Sequence, residues 1–204
     1  QTPKYAEKGL PGQERMLRIE LKLLADIGLV GYPNAGKSTL ISVLTSARPK
    51  VANYPFTTLS PVLGVVENTE GSFVIADIPG LIEGASQGAG LGHEFLRHVQ
   101  RTKVLVHVVD AAGTEGRDPV DDFYTVRKEL ELYDPGMGRK PFIVAANKMD
   151  IAEDDSIIRK LADATGAQVF PISAATTDGI KELLSSMTKL LYNEEERLRY
   201  EASE

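Results

Sequence analysis

A glycine-rich loop near the start of the chain carries the strongest chemical signal in the sequence. Residues Gly31–Ser38 read GYPNAGKS and match the phosphate-binding pattern G-x-x-x-x-G-K-[ST]. Backbone N–H groups of such a loop face phosphate oxygens, and the helix that follows adds a partial positive charge. We predict that Lys37 reaches the β- and γ-phosphates and that the Ser38 hydroxyl binds Mg²⁺. The other loop residues predicted to contact a nucleotide are Gly31, Pro33, Asn34, Ala35, Gly36 and Thr39.

A second motif, D-x-x-G, lies at Asp77–Gly80, where a predicted strand ends. The Asp77 carboxylate can hold Mg²⁺ through a water molecule, and the Gly80 N–H can meet a γ-phosphate. This motif by itself indicates no more than a turn. It gains weight here because it follows the phosphate-binding loop along the chain, and the two together predict a nucleoside triphosphate site.

A third motif, Asn147-Lys148-Met149-Asp150, follows another predicted strand and indicates which base is bound. The Asp150 carboxylate can accept hydrogen bonds from N1–H and the 2-amino group of guanine, a pair of donors that adenine lacks. We expect Asn147 to brace the loop and the stem of Lys148 to lie along the base. A backbone N–H that meets guanine O6 is predicted from the segment Ser173, Ala174 and Ala175.

The elements that must position these motifs alternate between apolar strands and amphipathic helices. Such alternation predicts an α/β fold with a mostly parallel six-stranded sheet that helices flank on both faces. Ligands of these sheets bind outside the carboxyl ends of the strands, where all three motifs fall. The predicted strands are 27–30, 61–66, 73–78, 104–109, 142–146 and 169–172, and the predicted helices are 37–46, 93–101, 119–133, 154–165 and 178–192.

The motifs resemble those of the translation-factor-class small GTPases, and more closely those of the Obg/CgtA family. The similarity is strongest in Ala25–Thr39, in Tyr54–Leu59 and in Asp77–His98, and it extends over about residues 1–193. It implies a P-loop NTPase with a Ras-like G domain and GTP or GDP as the ligand. From the residues alone, Thr57 and Thr58 are equal candidates for the switch threonine. The resemblance favours Thr58 as the Mg²⁺ ligand, with Phe56 and Thr57 beside the nucleotide.

The same resemblance divides the chain into three segments. Residues 1–24 are expected to be the tail of an upstream Obg-fold domain, 25–193 the GTP-binding domain and 194–204 a charged extension or linker. The 204 residues carry a net charge of −6 and no cysteine, so disulfides and thiolate metal sites are excluded. A chain without cysteines fits the reducing cytoplasm. No apolar run approaches the roughly 20 residues that span a bilayer, so we expect no contact with a membrane, and we expect a monomer.

Catalysis is expected to be slow. Ras-like enzymes place a glutamine directly after D-x-x-G to orient the attacking water, and this chain has Leu81 there. The Obg/CgtA family shares this departure and is known for slow turnover. GTPases with an asparagine at the position of Asn34 resemble those that bind K⁺ beside the phosphates, which makes K⁺ a candidate cofactor. The residues assigned to the hydrolysis step are Lys37, Thr58, Gly80 and Asn34.

The preferred hypothesis is a molecular switch. In it, the glycine-rich segment 80–92 becomes ordered when GTP is bound and is released after hydrolysis. The resemblance implies the large ribosomal subunit as partner, with roles in its assembly and in growth control, and guanosine tetraphosphate as a competing ligand. The second hypothesis is an ATPase, which the guanine-type motif Asn147–Asp150 disfavours. The third hypothesis is a nucleotide-binding scaffold with negligible turnover. It remains an alternative because Leu81 stands where Ras-like enzymes have the glutamine that orients water.

Overall fold

The computed structural model of the 204-residue chain describes residues 12, 14–16, 25–45, 49–51, 62–69, 71–77 and 102–201. The predicted helix 93–101 lies outside these residues. The strands are β1 Ile27–Val30, β2 Lys50–Val51, β3 Val62–Asn68, β4 Gly71–Asp77, β5 Val104–Asp110, β6 Phe142–Asn147 and β7 Val169–Pro171. The α-helices are α1 Lys37–Leu44, α2 Pro119–Tyr133, α3 Ser156–Thr165 and α4 Ile180–Glu201, and a 3₁₀ helix spans Met137–Arg139.

The strands form one sheet in the order β2-β3-β4-β1-β5-β6-β7. Strands β4, β1, β5, β6 and β7 run parallel, whereas β2, β3 and β4 pair antiparallel. Every residue of β1 and β5 is buried, as expected of parallel strands that are covered on both faces. Six of the strands are those predicted from the sequence, and the two-residue β2 extends the sheet at one edge.

Helices cover both faces of this sheet. On one face, α1 and α4 pack against the strands through Leu40, Ile41, Leu183 and Met187. On the other face, α2 and α3 contribute apolar side chains such as those of Phe123, Val126 and Leu161. The α/β architecture with a mostly parallel sheet between two helical layers is therefore confirmed. Within the described part of the chain, no helix is both long and apolar enough to cross a bilayer.

Local signals set the start of α2 and the end of α3. Asp118 caps α2 because its carboxylate accepts the backbone N–H groups of Val120 and Asp121, and Pro119 occupies the first helical turn. Gly166 ends α3 in the left-handed conformation, with φ of 62°. Helix α4 runs without a break from Ile180 to Glu201, across residue 193, where the sequence predicts the start of an extension. The three-segment division of the chain stays a prediction.

The parallel strands bring the three motifs to one edge of the sheet. The phosphate-binding loop follows β1, Asp77 ends β4, and Asn147 ends β6. Ser173 comes shortly after β7. Because parallel strands present their carboxyl ends at the same edge, residues more than a hundred positions apart in sequence meet there.

Candidate nucleotide-binding site

The phosphate-binding loop is held against the sheet at two glycines. At Gly31, a Cβ atom would lie 2.2 Å from the carbonyl oxygen of Val108 in β5. Gly36 has a φ of 95°, and a Cβ there would lie 2.2 Å from Nδ2 of Asn147. Both positions therefore need glycine, because the loop passes closer to neighbouring strands than any side chain permits.

Lys37 begins helix α1 and folds back over this loop. Its ammonium donates hydrogen bonds to the carbonyl oxygens of Gly31 and Tyr32, each at 2.9 Å. Burial lowers the pKa of Lys37, and the nearby charge of Asp77 opposes that shift. The arrangement holds a desolvated cation beside the loop, where the negative charge of a phosphate chain would be strongly attracted.

Ser38 and Asp77 meet although they are far apart in sequence. The Ser38 hydroxyl donates a hydrogen bond of 2.5 Å to Oδ2 of Asp77. The other carboxylate oxygen, Oδ1, is buried and accepts no hydrogen bond from the described residues. A hydroxyl beside an unsatisfied carboxylate oxygen is a donor set that suits Mg²⁺, which prefers oxygen ligands. These residues therefore fit the predicted metal.

Asn147 ties three parts of the site together. Its side chain is 2 % exposed, and its Nδ2 donates to the carbonyl oxygen of Ala35 at 2.8 Å. Its Oδ1 accepts the backbone N–H of Ala174 at 2.9 Å. One amide group thus connects the phosphate-binding loop, the end of β6 and the segment after β7, as its predicted bracing role requires.

Lys148 and Asp150 follow Asn147 at the mouth of the site. Lys148 has a left-handed backbone with φ of 67°, and its ammonium lies 2.8 Å from both Oδ2 of Asp110 and Oγ1 of Thr114. Burial on its own would raise the pKa of Asp110, but hydrogen bonds from Lys148 and Thr114 and the charge of Lys148 hold that pKa below its usual value. Asp110 is a site residue that no motif predicts, since nothing in the local sequence indicates its contact with Lys148.

Asn34 makes a contact that the motif alone does not indicate. Its Nδ2 donates a hydrogen bond of 2.8 Å to Oε1 of Glu115, in the loop between β5 and α2. In the same loop, the guanidinium of Arg117 lies over the ring of Tyr32, 4.6 Å from its centroid. The loop after β5 therefore contacts both the phosphate-binding loop and Lys148.

These residues surround a cavity of about 450 Å³ at the carboxyl edge of the sheet. Asp150, Ile151 and the P-loop residues face it together with the segment after β7. The lining residues are Asn34, Gly36, Lys37, Ser38, Thr39, Asn147, Lys148, Asp150, Ile151, Ala174 and Ala175.

Several predicted site residues do not line this cavity. Gly31 and Ala35 act through their carbonyl oxygens, which bind Lys37 and Asn147. Pro33 is exposed, and the buried hydroxyl of Ser173 accepts the backbone N–H of Thr176. Four further predicted residues, together with Leu81, lie outside the described part of the chain, namely Phe56, Thr57, Thr58 and Gly80.

Comparisons with known proteins agree with this geometry. A protein family described as 50S ribosome-binding GTPase matches residues 26–148. The GTPase Obg of Symbiobacterium thermophilum is 60 % identical over 193 residues, which are 93 % of this chain and 45 % of that protein. The chain spans about half the length of the curated relatives it matches.

Two solved structures show how widely the fold is shared. The cytosolic domain of L. pneumophila FeoB superposes with a TM-score of 0.63 at 30 % identity, over 80 % of this chain and 67 % of that one. A nucleolar GTP-binding protein 1 from Plasmodium falciparum gives a TM-score of 0.65 at 18 % identity, over 87 % and 91 % of the two chains. The second likeness concerns the fold alone.

Proposed function

The chain belongs to the Obg family of GTPases, and on that premise we propose that it is a Mg²⁺-dependent switch that binds GTP and hydrolyses it slowly. Its fold is a Ras-like P-loop G domain. The observation that carries the proposal is that the phosphate loop and the Asn147–Asp150 loop line one cavity, with Asp77 hydrogen-bonded to Ser38 of that lining. This convergence of phosphate, metal and base motifs supports a guanine-nucleotide site.

Phosphates and base are recognised at opposite ends of that cavity. The loop amides and Lys37 neutralise the phosphate chain, and the buried environment strengthens each of these contacts. Asp150 selects guanine by accepting from its N1–H and 2-amino groups. An adenine in the same place would leave the carboxylate without donors, which is a large penalty.

Ser38 and Asp77 would hold Mg²⁺, Ser38 directly and Asp77 through water, with Thr58 as a further ligand. When bound, the ion would neutralise charge that develops on the β- and γ-phosphates. Oδ1 of Asp77 supports this assignment, because it is buried without a hydrogen-bond partner among the residues that the structure describes, which is costly unless a ligand satisfies it.

Slow turnover is expected because Leu81 directly follows the D-x-x-G motif at Asp77–Gly80. The apolar side chain of Leu81 cannot orient the attacking water, so catalysis relies on charge and positioning from Lys37, Asn34, Thr58 and the Gly80 N–H. K⁺ bound beside Asn34 would add the positive charge that an arginine finger supplies in other GTPases. The alternative is a nucleotide-binding scaffold without significant turnover.

Affinity and single-turnover measurements test these assignments. We expect GTP and GDP to bind in the presence of Mg²⁺ and ATP to bind at least about 100-fold more weakly. GTP hydrolysis should be slow, should require Mg²⁺ and should be lost in Lys37→Ala. Tight GTP binding without any Mg²⁺-dependent cleavage would favour the scaffold. Equal turnover in K⁺ and Na⁺ buffers would remove K⁺ from the proposal.

The partner we propose for the full-length protein is the large ribosomal subunit, through its RNA or its proteins, in subunit assembly and growth control. The family description, 50S ribosome-binding GTPase, supports this choice. Guanosine tetraphosphate is a candidate competitor because it presents the same base and phosphates. We place the protein in the cytoplasm as a monomer. Co-sedimentation of full-length protein with ribosomal subunits in GTP-analogue and GDP buffers tests the partnership, and association independent of nucleotide would contradict a switch.

A further inference from the structure

The nucleotide site contains a buried carboxylate that the proposed chemistry does not use. Asp110 is the last residue of β5, lies opposite Asn147 of β6 and is 5 % exposed. Its Oδ1 accepts the backbone N–H of Ala112 at 3.2 Å. Its Oδ2 accepts the N–H of Thr114 at 3.2 Å, the Thr114 hydroxyl at 2.5 Å and the Lys148 ammonium at 2.8 Å.

In the described part of the chain, the two acceptors of the Lys148 ammonium lie on this one turn. They are Oδ2 of Asp110 and Oγ1 of Thr114, each at 2.8 Å. A lysine stem with four carbons samples many rotamers when its head is free. Here the backbone of Lys148 lies in the left-handed region and its ammonium is bound to Asp110. Because both ends of the side chain are held, few rotamers of the carbon stem remain.

We propose that Asp110 is a positioning residue for the guanine nucleotide and that it acts through Lys148. By holding the ammonium at the wall of the cavity, Asp110 leaves the apolar stem of Lys148 to form a surface for the base. The ordering of that side chain is completed before the nucleotide arrives, which removes an entropic cost of binding. The inference rests on the proposed function, since it needs Lys148 to contact the base.

A role confined to the turn is the competing explanation. Asp110 also fixes the backbone of Ala112 and Thr114, and its loss would loosen that turn whatever Lys148 does. The two explanations differ in whether the effects of replacing Asp110 and Lys148 on nucleotide affinity are coupled. If Asp110 acts through Lys148, its replacement has no effect on affinity once the Lys148 ammonium is gone, whereas a role in the turn adds to the effect of losing Lys148.

A double-mutant cycle on GDP affinity tests the proposal. The variants are Asp110→Asn, Lys148→Met and the double variant, measured with GDP that carries a fluorescent label on the ribose. Asparagine keeps an acceptor oxygen for Ala112 and removes the charge. We expect each single variant to bind roughly tenfold more weakly, the scale of one charged hydrogen bond, and the double variant to match Lys148→Met.

A second readout separates Lys148 from Asp150. Inosine diphosphate lacks the 2-amino group that Asp150 is proposed to bind, but it presents the same face to a lysine stem. We expect Asp110→Asn to weaken GDP and inosine diphosphate by the same factor, so that their affinity ratio is unchanged. A change in that ratio would show that Asp110 acts on the Asp150 contact and would overturn the proposal.

Controls keep the outcomes distinct. Asp121→Asn, which removes an exposed carboxylate in the first turn of α2, should bind GDP as the parent chain does. Additive effects in the double variant would overturn the inference. Unchanged affinity in Lys148→Met would instead contradict the proposed role of Lys148. Urea titrations without nucleotide show whether Asp110→Asn is folded. If it is not, the cycle of Thr114→Val with Lys148→Met replaces it, and additive effects on GDP affinity would again overturn the inference.

Discussion

Single residues of the site are constrained by contacts with strands that are distant in sequence. Gly36 illustrates this, because the atom that forbids a side chain there belongs to Asn147. His107 shows the same effect in the core. It is buried in β5 between the rings of Phe123 and Phe142, whose centroids lie 4.9 and 5.3 Å from its own.

Replacing Gly36 by alanine should disturb the site through Asn147. The new Cβ would lie 2.2 Å from Nδ2 of Asn147 and would also require a left-handed backbone. We expect a loss of about 2–3 kcal/mol in the free energy of unfolding, measured in urea, and much weaker GDP binding. Gly166→Ala is the control, because Gly166 has a φ of 62° and no atom within 4 Å of a Cβ. If both variants lose the same stability, the clash with Asn147 is unimportant.

His107 should make the protein less stable in acid. Burial, with the charge of Arg127, lowers the pKa of His107 from 6.5 to about 3, so the folded state binds its proton less readily than the unfolded state. Its contribution is therefore complete above pH 6.5 and is lost as the pH falls from 6.5 towards 3. Between pH 7 and pH 5 the loss is about 2 kcal/mol. Urea titrations of the parent chain and of His107→Leu should differ in this pH dependence, and parallel profiles would contradict the assignment.

Whole elements here begin and end largely where local chemistry predicts. Helix α2 spans the predicted residues 119–133, since its cap and its first-turn proline are both local signals. Helix α3 starts slightly later than predicted, at Ser156. Helix α4 continues to Glu201, and Glu194 is buried while it bonds to Arg197. A charged sequence pattern did not indicate that burial, because it comes from packing against the rest of the domain.

The cap of α2 can be tested against Asp155, which occupies the same position at the start of α3. The Asp118 carboxylate accepts two backbone N–H groups, whereas Asp155 at the start of α3 makes no such bond. We expect Asp118→Ala to lower the free energy of unfolding by about 1–2 kcal/mol and Asp155→Ala by about half of that or less. Both variants remove one negative charge near a helix N-terminus, so the difference in urea reports the hydrogen bonds. Equal losses would show that the charge alone matters.

At the scale of the whole molecule, the candidate site lies where distant segments converge. The site joins the ends of β1, β4 and β6 with the loops after β5 and β7. A ligand that spans these segments stabilises the fold as a unit, because it binds the folded state and not the separated segments. The increase in the free energy of unfolding when a ligand is added therefore measures binding by the whole site.

Removing the metal should reverse part of that gain. At GDP concentrations of about 100 times Kd, binding adds about 2.7 kcal/mol to the stability of the folded chain. We expect EDTA to reduce this increment and Asp77→Asn to make it insensitive to Mg²⁺, as measured by thermal unfolding with GDP. The exposed Asp163, replaced by asparagine, serves as the control. A full Mg²⁺ response in Asp77→Asn would contradict the assignment of Asp77.

The sequence by itself determined the P-loop motif, the six longer strands and the family, because these depend on short motifs and on the periodicity of apolar residues. It also predicted a guanine-binding loop at Asn147–Asp150. Only the tertiary structure decided that Asn147 bridges to Ala35 and Ala174, that Asp110 holds Lys148 and that Asn34 bonds to Glu115. Each of these contacts joins residues on different strands or loops. Such contacts are set by the order and register of the sheet, which no local stretch of sequence encodes.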